Sequence, residues 1–350
     1  MATASTAQSS TRPALFDAHC HIHDPRFCVS HQQQQVQQYE ALRPVIRRAV
    51  AANVTHVASC ACFESDWDAL ETLLAHWDRE FNAKAAVESS VSDQNPSGRI
   101  QLVPSFGVHP WWAQERHDEY LELLRAKLKQ YPTASLGEIG LCKSSRGRAV
   151  DFQVQDQVFR EQLELAIELS RTCVIHCVGY YGKLLDILQA TLNSTKNKKL
   201  PPRIVLHSYA GGADLAKSFL ALEKYATGTQ LYFSLNVKQL TDARSGKTAA
   251  CCAAVPLRTL LLETDAPDQV PLAAAVKEVS KEFGSFDFSF EDTLAASYEL
   301  NEPALVSVAY ARAAEIRQLP LVDLATAVYQ NSLAAFGVNE EWMMLVNTEA

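Results

Sequence analysis

The chain has 350 residues, a formal net charge of −8 at pH 7 and a pI near 5.7. Hydrophobic residues make up 47% and charged residues 21%, so a large core is available and wholesale disorder is excluded. The acidic balance predicts a surface that repels nucleic acid as a whole. Any polyanionic substrate must therefore be held at a local, metal-charged site.

The cysteine count and the ends of the chain bear on compartment and domain organisation. Nine cysteines without a CxxC pair favour reduced, buried thiols over a disulfide framework. No apolar run is long enough for a membrane span, and the first twelve residues lack the apolar segment of a secretory signal. We expect a cytoplasmic protein with no membrane association and no obligate protein partner; nuclear localisation or organelle targeting stays open as an alternative. The predicted domains are a flexible tail over 1–13, a single barrel over 14–340 and a tail over 341–350.

Eight short, β-rich apolar runs recur along the chain, and most are separated by segments of helical periodicity. This alternation predicts an α/β fold, a closed (β/α)8 TIM barrel. The runs span residues 14–20, 55–61, 101–109, 134–140, 173–177, 203–208, 231–236 and 258–265. The helical segments lie near 40–52, 64–80, 115–130, 151–170, 180–192 and 211–225, with extra C-terminal helices near 291–300, 303–317 and 321–336.

Polar side chains gather at the predicted strand ends, where barrel enzymes place their catalytic groups. Five of the ten histidines fall there, together with two carboxylates and an asparagine. In strand order these residues are His19 and His21, His109, Glu138, His176, His207, Asn236 and Asp265. His19 and His21 are two residues apart on a strand, so their side chains point the same way and can grip one ion.

Six of these side chains form a mixed imidazole and carboxylate set that suits Zn, Mn, Fe or Mg-type ions. Taken singly, His176 or His207 could be a hydrogen-bonded core histidine, and Glu138 or Asp265 could form a salt bridge at the barrel rim. Six ligands exceed one open catalytic site but are used in full by two divalent metal ions that share Glu138. A two-metal site suits hydrolysis of an ester or phosphodiester.

The motifs that carry these residues resemble the TatD family of metal-dependent hydrolases. The matching segments are FDAHCHIHDPRF (16–27), FGVHPWW (106–112), LGEIGL (136–141), VIHC (174–177), VLHSYAG (205–211), LLLETDAPD (260–268) and NEPA (301–304). The resemblance implies a (β/α)8 barrel and a pair of divalent ions (Zn, Mg or Mn). It places His19, His21, Glu138 and Asp265 at one ion and Glu138, His176 and His207 at the other. It also implies a deoxyribonuclease with DNA as substrate, in which Glu138 bridges and Asp265 handles the proton of the attacking water.

Two positions depart from the family pattern. Cys142 stands where an Asp is usual, and Val178 stands where an Arg suited to gripping phosphate is usual. Lys143, Arg146 and Arg148 follow the fourth strand and are predicted to supply the missing positive charge; plain solvation is the alternative. We also expect His109 to contact substrate, with the filling of a corner beside Pro110 as its alternative.

Two other functions compete with DNA hydrolysis. The same ligands suit hydrolysis of an amide or carboxylic ester in a small molecule or an aminoacyl group, which the acidic pI and Val178 favour. A barrel that serves only as an interaction partner is the third interpretation, and the complete ligand set speaks against it.

Overall fold

The structure is a computed structural model that describes residues 13–28, 39–82, 99–194, 199–242, 244, 246–274, 276–277 and 300–338. The predicted tails, apart from residue 13, and nearly all of the helix predicted near 291–300 lie outside these residues. Within them, no helix has the length and apolar character needed to cross a membrane.

Eight parallel strands form one sheet in sequence order, as a (β/α)8 barrel requires. The strands are β1 Leu15–Cys20, β2 Val54–Ala61, β3 Gln101–Phe106, β4 Ser135–Cys142, β5 Cys173–Val178, β6 Arg203–Leu206, β7 Gln230–Asn236 and β8 Leu260–Glu263. The first and last strands meet through a parallel bridge between Cys20 and Ala266. There the Asp265 amide donates to the His19 carbonyl over 2.9 Å. The predicted TIM-barrel fold is confirmed.

Helices cover the outside of the sheet between successive strands. They are α1 Leu42–Ala51, α2 Glu64–Trp77, α3 Tyr120–Gln130, α4 Phe152–Glu168, α5 Tyr181–Ser194, α6 Ala213–Leu220, α7 Val237–Thr241, α8 Gly246–Ala254, α9 Val306–Arg317 and α10 Leu321–Phe336. Helices α9 and α10 are the extra C-terminal helices predicted near 303–317 and 321–336. The short helices α7 and α8 were not predicted, because their small and mixed residues show little amphipathic pattern.

The barrel interior is divided into an apolar lower part and a polar mouth. Small and branched side chains from seven strands form one buried cluster that includes Phe16, Ala58, Val174 and Leu261. Phe336 at the end of α10 stacks on Phe16 with ring centroids 5.4 Å apart, which plugs the lower end. Charged and imidazole side chains also reach the interior above this plug. Each of them needs a hydrogen bond or an opposite charge, from a neighbouring side chain or from an ion.

Candidate metal centre

Irregularities in two strands turn ligand-type side chains into the barrel. The pairing of β1 with β2 shifts register between Asp17 and Cys20, and that of β4 with β5 shifts between Leu136 and Ile139. Phe16 belongs to the lumen cluster whereas Cys20 packs in the outer core, so the alternation of inward and outward side chains is broken within β1. Glu138 lies inside β4 rather than at its predicted end, because that strand continues to Cys142.

The first group of the site consists of His19, His21, Asp265 and one oxygen of Glu138. Nε2 of His19 lies 3.4 Å from Nε2 of His21 and 3.4 Å from Oε2 of Glu138. Oδ1 of Asp265 is 3.8 Å from the first of these nitrogens and 3.6 Å from the second. Ligand atoms about 2.1 Å from a tetrahedral ion stand roughly 3.4 Å apart, so the spacing fits one ion.

The hydrogen bond made by Nδ1 of His21 determines which tautomer of this residue faces the first group. Its Nδ1 is 2.7 Å from the Cys60 carbonyl, an acceptor-only group, so Nδ1 carries the proton. The Nε2 lone pair of neutral His21 then faces two carboxylate oxygens, an arrangement that calls for a cation. Burial alone would lower the pKa of His21, but the facing Asp265 and Glu138 raise it to about 9. Positive charge is therefore favoured at this position, either as a second proton on the His21 ring or as a bound cation.

The second group forms around the other oxygen of Glu138. Oε1 lies 2.7 Å from Nε2 of His207 and 2.8 Å from Nδ1 of His176, and these two nitrogens are 3.2 Å apart. Burial alone would raise the pKa of Glu138, but the surrounding histidines hold it well below its usual range. Glu138 is thus an ionised, buried carboxylate with one oxygen directed at each group.

Asp265 is oriented by a small hydrogen-bonded network. The Ser208 hydroxyl lies 3.2 Å from Oδ2 of Asp265 and 2.7 Å from Oε1 of Glu263, and it accepts the Asn236 side-chain amide over 2.8 Å. Burial would raise the pKa of Asp265, yet hydrogen bonding and charge from the histidines lower it. The carboxylate is ionised, and its second oxygen shares the single hydroxyl hydrogen of Ser208 with Glu263.

His109 faces Glu138 with a hydrogen-bond donor rather than with a lone pair. Its Nδ1 accepts the Trp111 backbone amide over 3.1 Å, so the proton of the neutral ring is on Nε2. That Nε2 lies 3.5 Å from Oε1 of Glu138. Burial and the neighbouring His176 lower the pKa of His109 well below its ordinary value, so the ring stays neutral. It can donate a hydrogen bond to an oxygen in the site, a role suited to the predicted substrate contact.

The predicted basic cluster lies on the loop after β4, beside aromatic rings of the barrel mouth. The Arg146 guanidinium carbon is 4.6 Å from the ring centroids of both Trp111 and Trp112, and the Lys143 ammonium is 5.5 Å from that of Tyr180. Trp111 also contacts His109 edge-on, with centroids 4.6 Å apart. Arg148 donates from Nε to the Lys143 carbonyl. Stacking therefore fixes Arg146 near the ligand groups.

Sequence reasoning missed several residues of the site. Cys62 places its sulfur 3.8 Å from Oε2 of Glu138, and fully buried Glu263 lies 3.4 Å from Nδ1 of His207. Glu263 and Ser208 lie within the motifs LLLETDAPD and VLHSYAG. Each is an acidic or hydroxyl residue close in sequence to a predicted ligand, and that proximity could have indicated a role in the site. His23, the third histidine of the first motif, contacts Ser59 and Asp66 instead of joining the cluster.

The chain is similar to known proteins in sequence and in fold. A family model described as TatD related DNase matches residues 16–337. The uncharacterized metal-dependent hydrolase YjjV of Escherichia coli is 28% identical, over 68% of this chain and 77% of that protein. The 3'-5' ssDNA/RNA exonuclease TatD of Cronobacter sakazakii is 31% identical, over 50% of this chain and 61% of that protein. The crystal structure of YjjV has the same fold, with a TM-score of 0.66 and 23% identity over 93% of this chain and 98% of that chain.

These matches confirm the resemblance drawn from the motifs. The family match begins at Phe16, within β1, and ends at Gly337, directly after α10, so it takes in every described strand and helix. Inside it, among the described residues, lie four groups of side chains that could each hold an ion: His19, His21 and Asp265; His19, His207 and Glu263; His21, Cys62 and Glu138; and His109, Glu138 and His176. The chain therefore belongs to the TatD-related DNase family, and it is a metal-dependent hydrolase of that family.

Proposed function

We propose that this hydrolase cleaves phosphodiester bonds in DNA with a pair of divalent ions. The observation that carries the proposal is the position of Glu138. Its two carboxylate oxygens face two groups of histidines, with oxygen–nitrogen distances of at most 3.8 Å. His19, His21, Asp265 and Oε2 of Glu138 would hold the first ion; His176, His207 and Oε1 would hold the second. Bound ions of this kind supply Lewis acidity, which lowers the pKa of water and neutralises charge on a phosphoryl group.

The chain's own residues handle the proton and the substrate. Asp265 would accept the proton of the attacking water, and the contact of its outer oxygen with Ser208 supports this role. His109 donates from Nε2 to a substrate oxygen, a contact that its buried, neutral ring can make without a change of protonation. The apolar plug beneath the ligands fills the lower end of the barrel in the described part of the chain, so substrate would approach from the mouth.

The positive charge for a polyanion comes from the loop after β4. Arg146 is held between Trp111 and Trp112, so its guanidinium is positioned before substrate arrives. Lys143 and Arg148 are exposed on the same loop. In an acidic protein, such a local patch beside two ions is what can attract DNA against the overall repulsion.

Hydrolysis of an uncharged amide or ester is the second candidate, and one observation favours it. Val178 ends β5 with 41% of its surface exposed, at the position where the family pattern has an arginine. An exposed apolar side chain beside the mouth suits a neutral substrate better than a phosphate.

The experiment is a hydrolysis assay on end-labelled single- and double-stranded DNA and on RNA, with the metal-free protein resupplied with Zn, Mn or Mg. We expect DNA cleavage that chelator abolishes and metal restores. Bound metal with turnover of amide or ester substrates and none of DNA would establish the second candidate. A protein that binds no metal and cleaves none of these substrates would support the reading as an interaction partner.

A further inference from the structure

Cys62, the residue directly after β2, is held in place by hydrogen bonds on both sides of its backbone. Its amide donates to Oδ2 of Asp66 over 2.6 Å, and its carbonyl accepts the His109 amide over 2.9 Å. The other oxygen of Asp66 lies 3.1 Å from Nε2 of His23, so the first turn of α2 is tied to the segment after β1. The direction of the Cys62 side chain is therefore set by the fold around it.

The Cys62 sulfur points at the first group of the candidate metal centre. Sγ lies 3.8 Å from Oε2 of Glu138 and 3.9 Å from Nδ1 of His21. These three residues form a set whose ligand atoms lie within 4.8 Å of one another. A sulfur about 2.3 Å and an oxygen about 2.1 Å from one zinc ion stand roughly 3.6 to 3.8 Å apart in four- or five-coordinate geometry. The spacing fits an ion shared by the thiolate and Glu138.

The surroundings of Cys62 differ from those of most other cysteines in the chain. Seven of the nine cysteines lie in or against the apolar clusters of the described residues, where a thiol acts as a small hydrophobe. Cys62 belongs to neither cluster. The contacts of its sulfur are polar: the Glu138 carboxylate, the His21 ring and, at 4.0 Å, the Cys60 carbonyl. Apolar packing does not account for a cysteine at this position.

We propose that Cys62 binds the first ion as a thiolate, as a fifth ligand beside the four side chains of the first group. Without an ion, its S–H donates to Oε2 of Glu138. When an ion binds, the S–H bond breaks, a sulfur–metal bond forms, and the proton leaves to solvent. A soft thiolate favours zinc or cobalt over magnesium, so the ligand also selects the metal. The inference rests on the first ion of the proposed function.

The test is optical titration of the full-length, metal-free protein with cobalt(II). A cobalt–thiolate bond gives a charge-transfer absorption in the near ultraviolet that imidazole and carboxylate ligands do not give, and we expect it in the wild type. Cys62→Ser, a change of one atom, should lose this absorption with its fold intact by circular dichroism. Cys28→Ser is the matched control, because Cys28 is likewise half-buried but its sulfur faces the Ile22 carbonyl. This variant should keep the absorption in full.

Zinc affinity, measured in competition with a chelator, gives a second readout. Cys62→Ser should weaken one of the two zinc ions at least about 10-fold, the loss typical of removing even an outer partner of a ligand. Magnesium affinity should be little changed, because the lost ligand is a soft one. An unchanged zinc affinity in Cys62→Ser would overturn the inference.

The cobalt spectra also separate failure of this inference from failure of the proposed function. Wild-type protein that binds cobalt without the thiolate absorption, or Cys62→Ser that retains it, would overturn the role of Cys62 and leave the two-ion hydrolase standing. A Cys62-dependent absorption in a protein that cleaves no DNA would support the ligand and contradict the proposed substrate. Wild-type protein that binds no cobalt would overturn both.

Discussion

Asp265 is held in an unusual backbone conformation at the centre of the site. Its φ is 61°, in the left-handed region that costs a non-glycine residue on the order of 1 kcal/mol. The amide bond to the His19 carbonyl and the Ser208 contact hold it there. This conformation brings one oxygen within 3.8 Å of both His19 and His21.

Asp265→Asn tests the proton-accepting role. An amide still offers an oxygen to an ion but cannot accept a proton at neutral pH, so we expect kcat to fall at least about 100-fold with the fold intact. Initial rates on labelled DNA, together with circular dichroism, measure both effects. Asp268→Asn is the control, since Asp268 lies three residues away in an exposed pair with Arg26. Near wild-type rates for Asp265→Asn would assign water activation to another group.

For individual residues, the sequence predicted which side chains come together in the site. It did not predict the contacts that orient them. Histidines two apart on a strand and carboxylates after apolar runs indicated His19, His21, Glu138 and Asp265 directly, and the structure brings these four together. Ser208 and Cys62 contact them through bends at strand ends, and a periodic pattern does not specify such bends. The break in alternation within β1 depends on its pairing with β2, which no local signal reports.

In the proposed function, the loop after β4 supplies the positive charge that a polyanionic substrate requires. Replacing Lys143, Arg146 and Arg148 with glutamine should raise KM for DNA and leave kcat close to wild type. The dependence of log KM on log salt should flatten by up to about 2 for single-stranded DNA, because fewer counterions are released on binding. A small chromogenic phosphodiester, too short to reach the loop, should be hydrolysed as before.

A second triple variant controls for net charge. Lys199, Lys224 and Arg258 are exposed and precede β6, β7 and β8, at the opposite end of the barrel. Lys196 and Lys198, near the first of these, lie outside the described residues. Loss of DNA affinity in this variant, with none in the loop variant, would place the substrate channel elsewhere.

A buried ion pair ties α1 to the segment that leads into α9. Glu302, nearly inaccessible, accepts hydrogen bonds from Nε and Nη2 of Arg48, the shortest over 2.6 Å. Glu302→Ala leaves Arg48 without its partner, and we expect about 3 kcal/mol of destabilisation in denaturant unfolding. Glu315→Ala breaks an exposed pair with Arg312 and should change the free energy of unfolding by less than about 1 kcal/mol. Equal effects of the two variants would show that the buried pair contributes no more than a surface one.

The predicted helices and strands agree best with the structure where the hydrophobic pattern is strongest. All eight strands occur in the predicted order, since buried parallel strands appear as apolar runs. The helix predicted near 115–130 begins only at Tyr120, because residues 110–119 form turns stabilised by bonds such as that from Trp112 to the His109 carbonyl. The His117 amide also donates to Oε1 of Glu64 over 2.9 Å, a contact from outside the segment that no local pattern reports.

The whole molecule combines an apolar barrel floor with a mouth that concentrates charge. Seven strands and the end of α10 fill the lower lumen, and four histidines with two carboxylates converge above it. Such a concentration of buried polar groups is stable only if their charges are balanced. The proposed pair of ions bridged by Glu138 would place positive charge among these carboxylates.

Metal content of the wild-type protein and of Glu138→Ala tests this central claim most directly. Elemental analysis after loading with zinc and removal of the excess should give two equivalents for the wild type. It should give one or none for Glu138→Ala, with its fold confirmed by circular dichroism, because a single carboxylate serves both groups. Two full equivalents in Glu138→Ala would contradict the bridging assignment, and fewer than two in the wild type would contradict the paired site itself.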